Sequence, residues 1–181
     1  MKSNAGMEKS FWDYHHAFEY RMSAWKDEVL FTWQWWFGII LTIMPWIIWY
    51  FFRKKESTDR LIYAGIFVGL TSLTLDNVGF QLAAWTYFKP VTPIIPAYMP
   101  FDFALIPVAV MFLIQYFHKR NPWIIGLIFG IVTAFVGEPF FKWIQIYIPL
   151  NWKFGYSVPF YTLIYLLAHK LALRKKFKEL S

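Results

Sequence analysis

The stretch LDNVGFQLAAWTYFKPVTPIIPAYMPFD, from Leu75 to Asp102, decides how the rest of the chain is read. It sets a polar patch of Asp76, Asn77 and Gln81 in an apolar segment, followed by the aromatic pair Trp85 and Tyr87. A crossing marked by Pro90, Pro93, Pro96 and Pro100 then leads to Asp102, which opens the next apolar segment. An ionisable side chain in hydrocarbon costs roughly 2.5–3.5 kcal/mol on insertion scales, so Asp76 needs partners. The prolines exclude a regular helix across the crossing, because each lacks an amide donor and disfavours helix in the residue before it. The apolar residues between them predict a loop held against the membrane.

The surroundings of this stretch fix the class. Of 181 residues, 58% are hydrophobic and 23% aromatic. With a mean hydropathy of +0.38, this is too apolar for a soluble domain of the size and predicts an all-α integral membrane helical bundle in a single domain. The net charge of +7 sits beside apolar runs, where it sets orientation against anionic lipid and calls for no nucleic acid. With no cysteine there is no disulfide, thiol nucleophile or thiolate metal site. No cleavable signal peptide and no solenoid-type repeat is visible.

About five transmembrane helices are expected, over residues 32–52, 60–85, 100–117, 122–148 and 156–173, each near the length that a hydrocarbon core of about 30 Å requires. Trp33, Trp35 and Trp36 open the first and Trp49 and Tyr50 close it, as an aromatic belt would. Pro45 and Pro107 predict kinks, and Gly137-Glu138-Pro139 predicts a break in the fourth span. Asn121-Pro122 reads as a helix cap and first turn. Gly65/Gly69 and Gly126/Gly130 form small-residue faces for close helix packing or for a helix-helix oligomer.

Residues 8–30 place Phe11, Phe18, Met22, Trp25 and Val29 on one stripe, with Asp13, Arg21 and Asp27 elsewhere, which predicts an amphipathic interfacial helix. His15, His16 and Glu19 on it read as a solvated face, and no metal or other cofactor is called for. Eleven basic residues (Arg53, Lys54, Lys55, Arg60, Lys119, Arg120, Lys170, Arg174, Lys175, Lys176 and Lys178) fall on one side of the five-span arrangement. That side is expected to be cytoplasmic in a multi-pass cell-membrane protein, with the N-terminus outside and the C-terminus inside.

Asp76 lies sixteen residues beyond Arg60 and Glu138 sixteen beyond Pro122, so each carboxylate sits about 24 Å along its helix at ~1.5 Å per residue. Asp102 enters from the opposite side at the same level. Lys142, one turn past Glu138, is the expected cation, bridging Glu138 to Asp76 or Asp102, with Asn77, Gln81, Trp85 and Tyr87 completing a ligand-binding pocket.

On these residues the chain resembles two groups. Asp76, Trp85-Thr86-Tyr87, Pro100-Phe101-Asp102, Pro107, Gln115-Tyr116-Phe117 and Gly137-Glu138-Pro139, with Trp143 and Tyr147, are similar to an uncharacterised family of small multi-pass membrane proteins of spore-forming Gram-positive bacteria. Asp76, Trp85, Tyr87, Pro100 and Asp102 also resemble the pattern of the lycopene cyclase domain, with Phe103 standing where that pattern has a second acid. This second resemblance implies protonation of a polyene by membrane carboxylic acids.

Three functions follow as expectations. The first is a binding module whose outward-facing acidic pocket holds a lipid, another small ligand or a partner helix, without turnover. The second is a membrane enzyme acting on an isoprenoid or other lipid by acid catalysis, with Asp102, Glu138 or Asp76 catalytic. The third is ion- or proton-coupled transport at the break beside Glu138.

Overall fold

A computed structural model describes residues 4–174; Lys175, Lys176 and Lys178, used above for orientation, lie outside the described residues. The chain runs α1 (Ala5–Glu28), α2 (Trp33–Phe52), α3 (Thr58–Gln81), β1 (Trp85–Tyr87), α4 (Phe101–Phe117), α5 (Pro122–Trp143), β2 (Tyr147–Pro149) and α6 (Phe154–Ala172). It is predominantly helical. Among the described residues, three helices are long and apolar enough to cross a membrane: Trp33–Phe52, Lys55–Gln81 and Pro122–Trp143. Phe101–Phe117 is a shorter apolar helix.

Local chemistry sets the helix ends. Thr32 caps α2, its Oγ1 accepting from the Trp35 amide while donating to the Val29 carbonyl. Asn121 accepts from the Trp123 amide and Pro122 fills the first turn of α5, where a missing N–H costs nothing. Two helices stop short of the ends expected for them. Ala83 (φ 51) and Gln145 (φ 61) turn left-handed just past α3 and α5. The Ala84 and Ile146 amides then bond back to the Gly79 and Phe141 carbonyls, closing each helix with the same cap. Trp85 and Tyr147 therefore lie on strands.

Those strands form a two-stranded antiparallel ladder that an all-helical reading omits, with Trp85 opposite Pro149, Thr86 opposite Ile148 and Tyr87 opposite Tyr147. A shift of 62 residues (138 − 76) carries Asp76 onto Glu138, Ala83 onto Gln145 and Thr86 onto Ile148. The ladder is thus centred on a pair of equivalent residues, which is the signature of a local two-fold axis relating α3-β1 to α5-β2. Burial repeats with the same shift: Ala64 and Gly126, Val68 and Gly130, Ser72 and Ala134, and Asp76 and Glu138 are buried in corresponding positions. The chain thus carries an internal structural repeat that is not of the solenoid type.

Two prolines shape the helices without breaking them. The Ile106 amide, just before Pro107, bonds to Phe101 O, and the Glu138 amide, just before Pro139, bonds to Thr133 O. Each is a π turn, a single widened turn that relieves the proline ring's clash with the preceding turn. The break expected at Gly137-Glu138-Pro139 is therefore a π turn inside a continuous α5. Pro107 also leaves the Phe103 carbonyl without its helical donor, and Trp46 Nε1–H takes that place at 2.8 Å.

The main core joins α2, α3, α4, α5 and α6 through Trp49, Leu61, Val68, Met111, Phe129 and Tyr165. A smaller aromatic cluster of Tyr87, Tyr98, Phe141, Ile146 and Tyr147 lies under the ladder. The small-residue faces serve this intrachain packing. A Cβ on Gly65 would meet Met111 Sδ, one on Gly69 the Asp102 carbonyl, and those on Gly126 and Gly130 would meet Tyr165, Thr162 and the Val158 carbonyl. These faces pack against the chain's own helices.

The proline crossing is built into the fold. Trp25 Nε1–H donates to Pro90 O at 2.8 Å, Trp35 Nε1–H donates to Val91 O at 3.0 Å, and Tyr98 is fully buried. The first of these bonds docks the C-terminal half of α1, where Arg21 stacks over Phe80 5.4 Å from the ring centroid. Arg21 thus faces the protein instead of the polar side. The N-terminal half, with Phe11 and Trp12, is exposed.

Candidate functional site

Asp76 sits on the α3 face that also carries Gly69 and Ser72, and that face approaches α4 closely because Gly69 has no side chain to meet the Asp102 carbonyl. Its Oδ1 accepts from Trp85 Nε1–H and from Tyr87 Oη–H, each at 3.0 Å, and its Oδ2 accepts from the Tyr98 amide at 3.2 Å. Burial, followed by the neighbouring Asp76, holds the Tyr87 phenol well above its ordinary pKa range, so it remains a donor. Strand β1 and the proline crossing supply these three donors, and Gly79 leaves the space in which the Trp85 ring lies.

Asp102, in the π turn of α4, places its carboxyl within hydrogen-bonding reach of Asp76. Its Oδ2 is buried and has no hydrogen-bond partner. Glu138, closing the π turn of α5, has Ser157 and Tyr161 of α6 as hydrogen-bonding neighbours, yet its Oε2 is likewise buried without a partner. Asp102 and Glu138 are 3% and 9% exposed. Few buried polar atoms in proteins go unsatisfied, so these two require explanation.

A cavity of about 200 Å³ is lined by Asp76, Asp102 and Glu138. Its walls are largely aromatic, with Trp85, Tyr87, Phe101, Tyr147, Trp152 and Tyr161. Trp85 and Trp152 meet edge to face at 4.9 Å, and Trp152 Nε1–H donates to Ser157 at 2.8 Å, fixing one wall. A second space, of about 670 Å³, runs between α4 and α5 and shares Phe101, Ile106, Glu138 and Tyr161 with the first.

The fold thus brings together five of the residues singled out in sequence, Asp76, Trp85, Tyr87, Asp102 and Glu138. It does not bring in the other three. Asn77 Nδ2 bonds back to the Leu73 carbonyl within its own helix, and Gln81 is exposed at the end of α3. Lys142 is exposed, its ammonium 5.9 Å from the Phe154 ring centroid and not between the acids. One turn past Glu138 on the same helix face, Lys142 is exposed, and its ammonium keeps the water that a buried position would strip from it. Among the described residues, ion pairs form only between Glu19 and His15 and His16, both at 3.5 Å on exposed α1. No group of three or more described His, Cys, Asp or Glu residues is placed to hold a metal ion.

Sequence reasoning missed Tyr98, Ser157 and Tyr161. Ser157 and Tyr161 stand one turn apart in an otherwise apolar helix, a polar stripe that could have marked the face of α6 turned toward Glu138. No protein-family model, no curated protein and no solved structure matches the chain.

Proposed function

We propose that the protein is a multi-pass membrane protein whose acid-lined cavity holds a lipid. In this reading α2 to α6 cross the bilayer, α1 lies at the outer interface, the N-terminus is outside and the C-terminus cytoplasmic. Apolar side chains exposed along the three longest apolar helices support the placement, since Ile40, Ile43, Ile47, Ile66, Leu70, Leu127 and Ile131 would face lipid tails. The observation that carries the function is the pair of unpartnered carboxyl oxygens, Asp102 Oδ2 and Glu138 Oε2, at an aromatic-walled cavity. Leaving acceptors buried and unmet is costly, whereas a ligand that meets them recovers that loss on binding.

Mass spectrometry of the protein purified from its native membrane tests this. A lipid bound in stoichiometric amount is expected; a protein that carries none, with the cavity accessible, contradicts the reading.

One observation favours acid catalysis as a second reading. Phe103 stands in place of an acid in the cyclase-like pattern, but Asp76 lies within hydrogen-bonding reach of Asp102, so two helices together supply a carboxyl pair. The surrounding rings would stabilise a cationic intermediate through their π faces. Incubating membranes with an acyclic polyene and separating the products by chromatography decides it. Cyclised product that disappears in Asp102→Asn supports turnover, and unchanged polyene leaves binding alone.

A further inference from the structure

Each of the related units, α3-β1 and α5-β2, is followed in the chain by one apolar helix, α4 after the first and α6 after the second. Along α3 both neighbours pack closely, and α5 packs closely on α6. The remaining equivalent contact, α5 against α4, is open: this is the 670 Å³ cleft. The pseudosymmetry therefore marks one helix face that its counterpart covers and this one does not.

The cleft has the shape of a chain. Its wall residues run along α4 from Phe101 to Phe117 and along α5 from Ile125 to Phe141, a separation of sixteen residues along each helix. At ~1.5 Å per residue this is about 24 Å, roughly one and a half times the ~15 Å tail region of one membrane leaflet. Its lining is apolar until it reaches Glu138, where it meets the acid cavity. Phe101 and Phe141 pack edge to face on its wall at that end, with ring centroids 4.3 Å apart. Gly137 lies on its wall, and a Cβ there would find only Thr133 Cγ2, at 3.9 Å.

The chemistry at the end where the cleft meets the acid cavity selects the head of such a molecule. The cavity is lined by Asp102 and Glu138, each with one carboxyl oxygen that no protein donor meets, by aromatic faces on several sides, and by no described cation. Carboxylates and phosphates would be repelled, and a neutral hydroxyl would answer one acceptor at most. A primary ammonium carries three donors and a charge that both the acids and the ring faces attract.

We infer that the occupant is a single-chain amphiphile with a primary ammonium head, its tail lying in the α4/α5 cleft and its head between Asp102 and Glu138. This rests on the lipid-holding reading and specifies it. The test uses hexadecylamine, hexadecanol and hexadecanoate as separate probes against delipidated full-length protein in nonionic detergent, with retention read by native mass spectrometry. A charged head making charge-assisted hydrogen bonds should be held about tenfold or more tighter than the alcohol, with the acid weakest. Gly137→Phe, which fills the cleft wall from an open position, should lower hexadecylamine retention by about the same factor. Gly137→Ala should leave it unchanged, and both variants should melt near the parent. Equal retention of amine and alcohol overturns the head assignment while the lipid-holding reading stands. Retention indifferent to Gly137→Phe overturns the placement of the tail. A protein that holds none of the three and carries no lipid from its native membrane overturns the inference together with the reading beneath it.

Discussion

The indole of Trp85 lies so close over Gly79 that a methyl group at position 79 would overlap the ring. From that position Trp85 Nε1–H reaches Asp76. A glycine one turn beyond an acid thus seats the aromatic that satisfies it. Gly79→Ala should displace the ring and cost about 1–3 kcal/mol, the usual penalty for overpacking. The same change made in Trp85→Ala should cost far less, because the colliding ring is gone. Unfolding of the four proteins in detergent measures this, and an equal cost of Gly79→Ala in both backgrounds would show that the ring is not what the methyl meets.

Asp76 and Asp102 are neighbours with different duties. Removing the Asp76 carboxyl strands three buried donors, on Trp85, Tyr87 and the Tyr98 amide. Asp76→Ala should therefore destabilise the protein by about 3 kcal/mol or more, with Asp76→Asn milder because it keeps one acceptor oxygen. Asp102 Oδ2 has no protein donor to lose. Asp102→Asn should cost markedly less than Asp76→Ala. Thermal melts of the three variants check the order, and a loss at Asp102 matching that of Asp76→Ala would place Asp102 in the fold's support.

Lys142 should be energetically independent of Glu138. Its ammonium sits by the Phe154 ring at the rim, so Lys142→Met should change stability by about 0.5 kcal/mol or less, and Lys142→Met with Glu138→Gln should be additive to a similar margin. A coupling of several kcal/mol in a double-mutant cycle would restore the buried ion pair that the i, i+4 spacing suggests.

The chain has no cysteine, so single introduced cysteines report topology without background. In intact cells position 4 should react with an impermeant thiol reagent, and position 180 only after lysis. Labelling of both from one side would rule out an odd number of crossings.

The helices were legible because long apolar runs and the caps Thr32 and Asn121-Pro122 are local signals. The meeting of Asp76, Asp102 and Glu138 was legible too, as depth along a helix depends only on rise per residue. The ladder was not: three-residue strands carry no alternation to read, and the turns before them use Ala83 and Gln145 where glycine would have announced a left-handed residue. The repeat was hidden for a similar reason. Identities such as Ile62 with Ile124, Phe67 with Phe129 and Thr71 with Thr133 are few in a chain this apolar, and the strand register is what reveals the shift. Lys142 misled because spacing gives the face of a helix but not whether water reaches it there.

Lipid extraction and mass spectrometry of the parent beside Asp102→Asn/Glu138→Gln, both purified alike from the same membrane, address the cavity most directly. The parent should carry one lipid per chain, and the double variant, melting near the parent, should have lost it. A parent that carries no lipid, or a double variant that keeps the same lipid in the same amount, would contradict an acid-lined lipid site at Asp102 and Glu138.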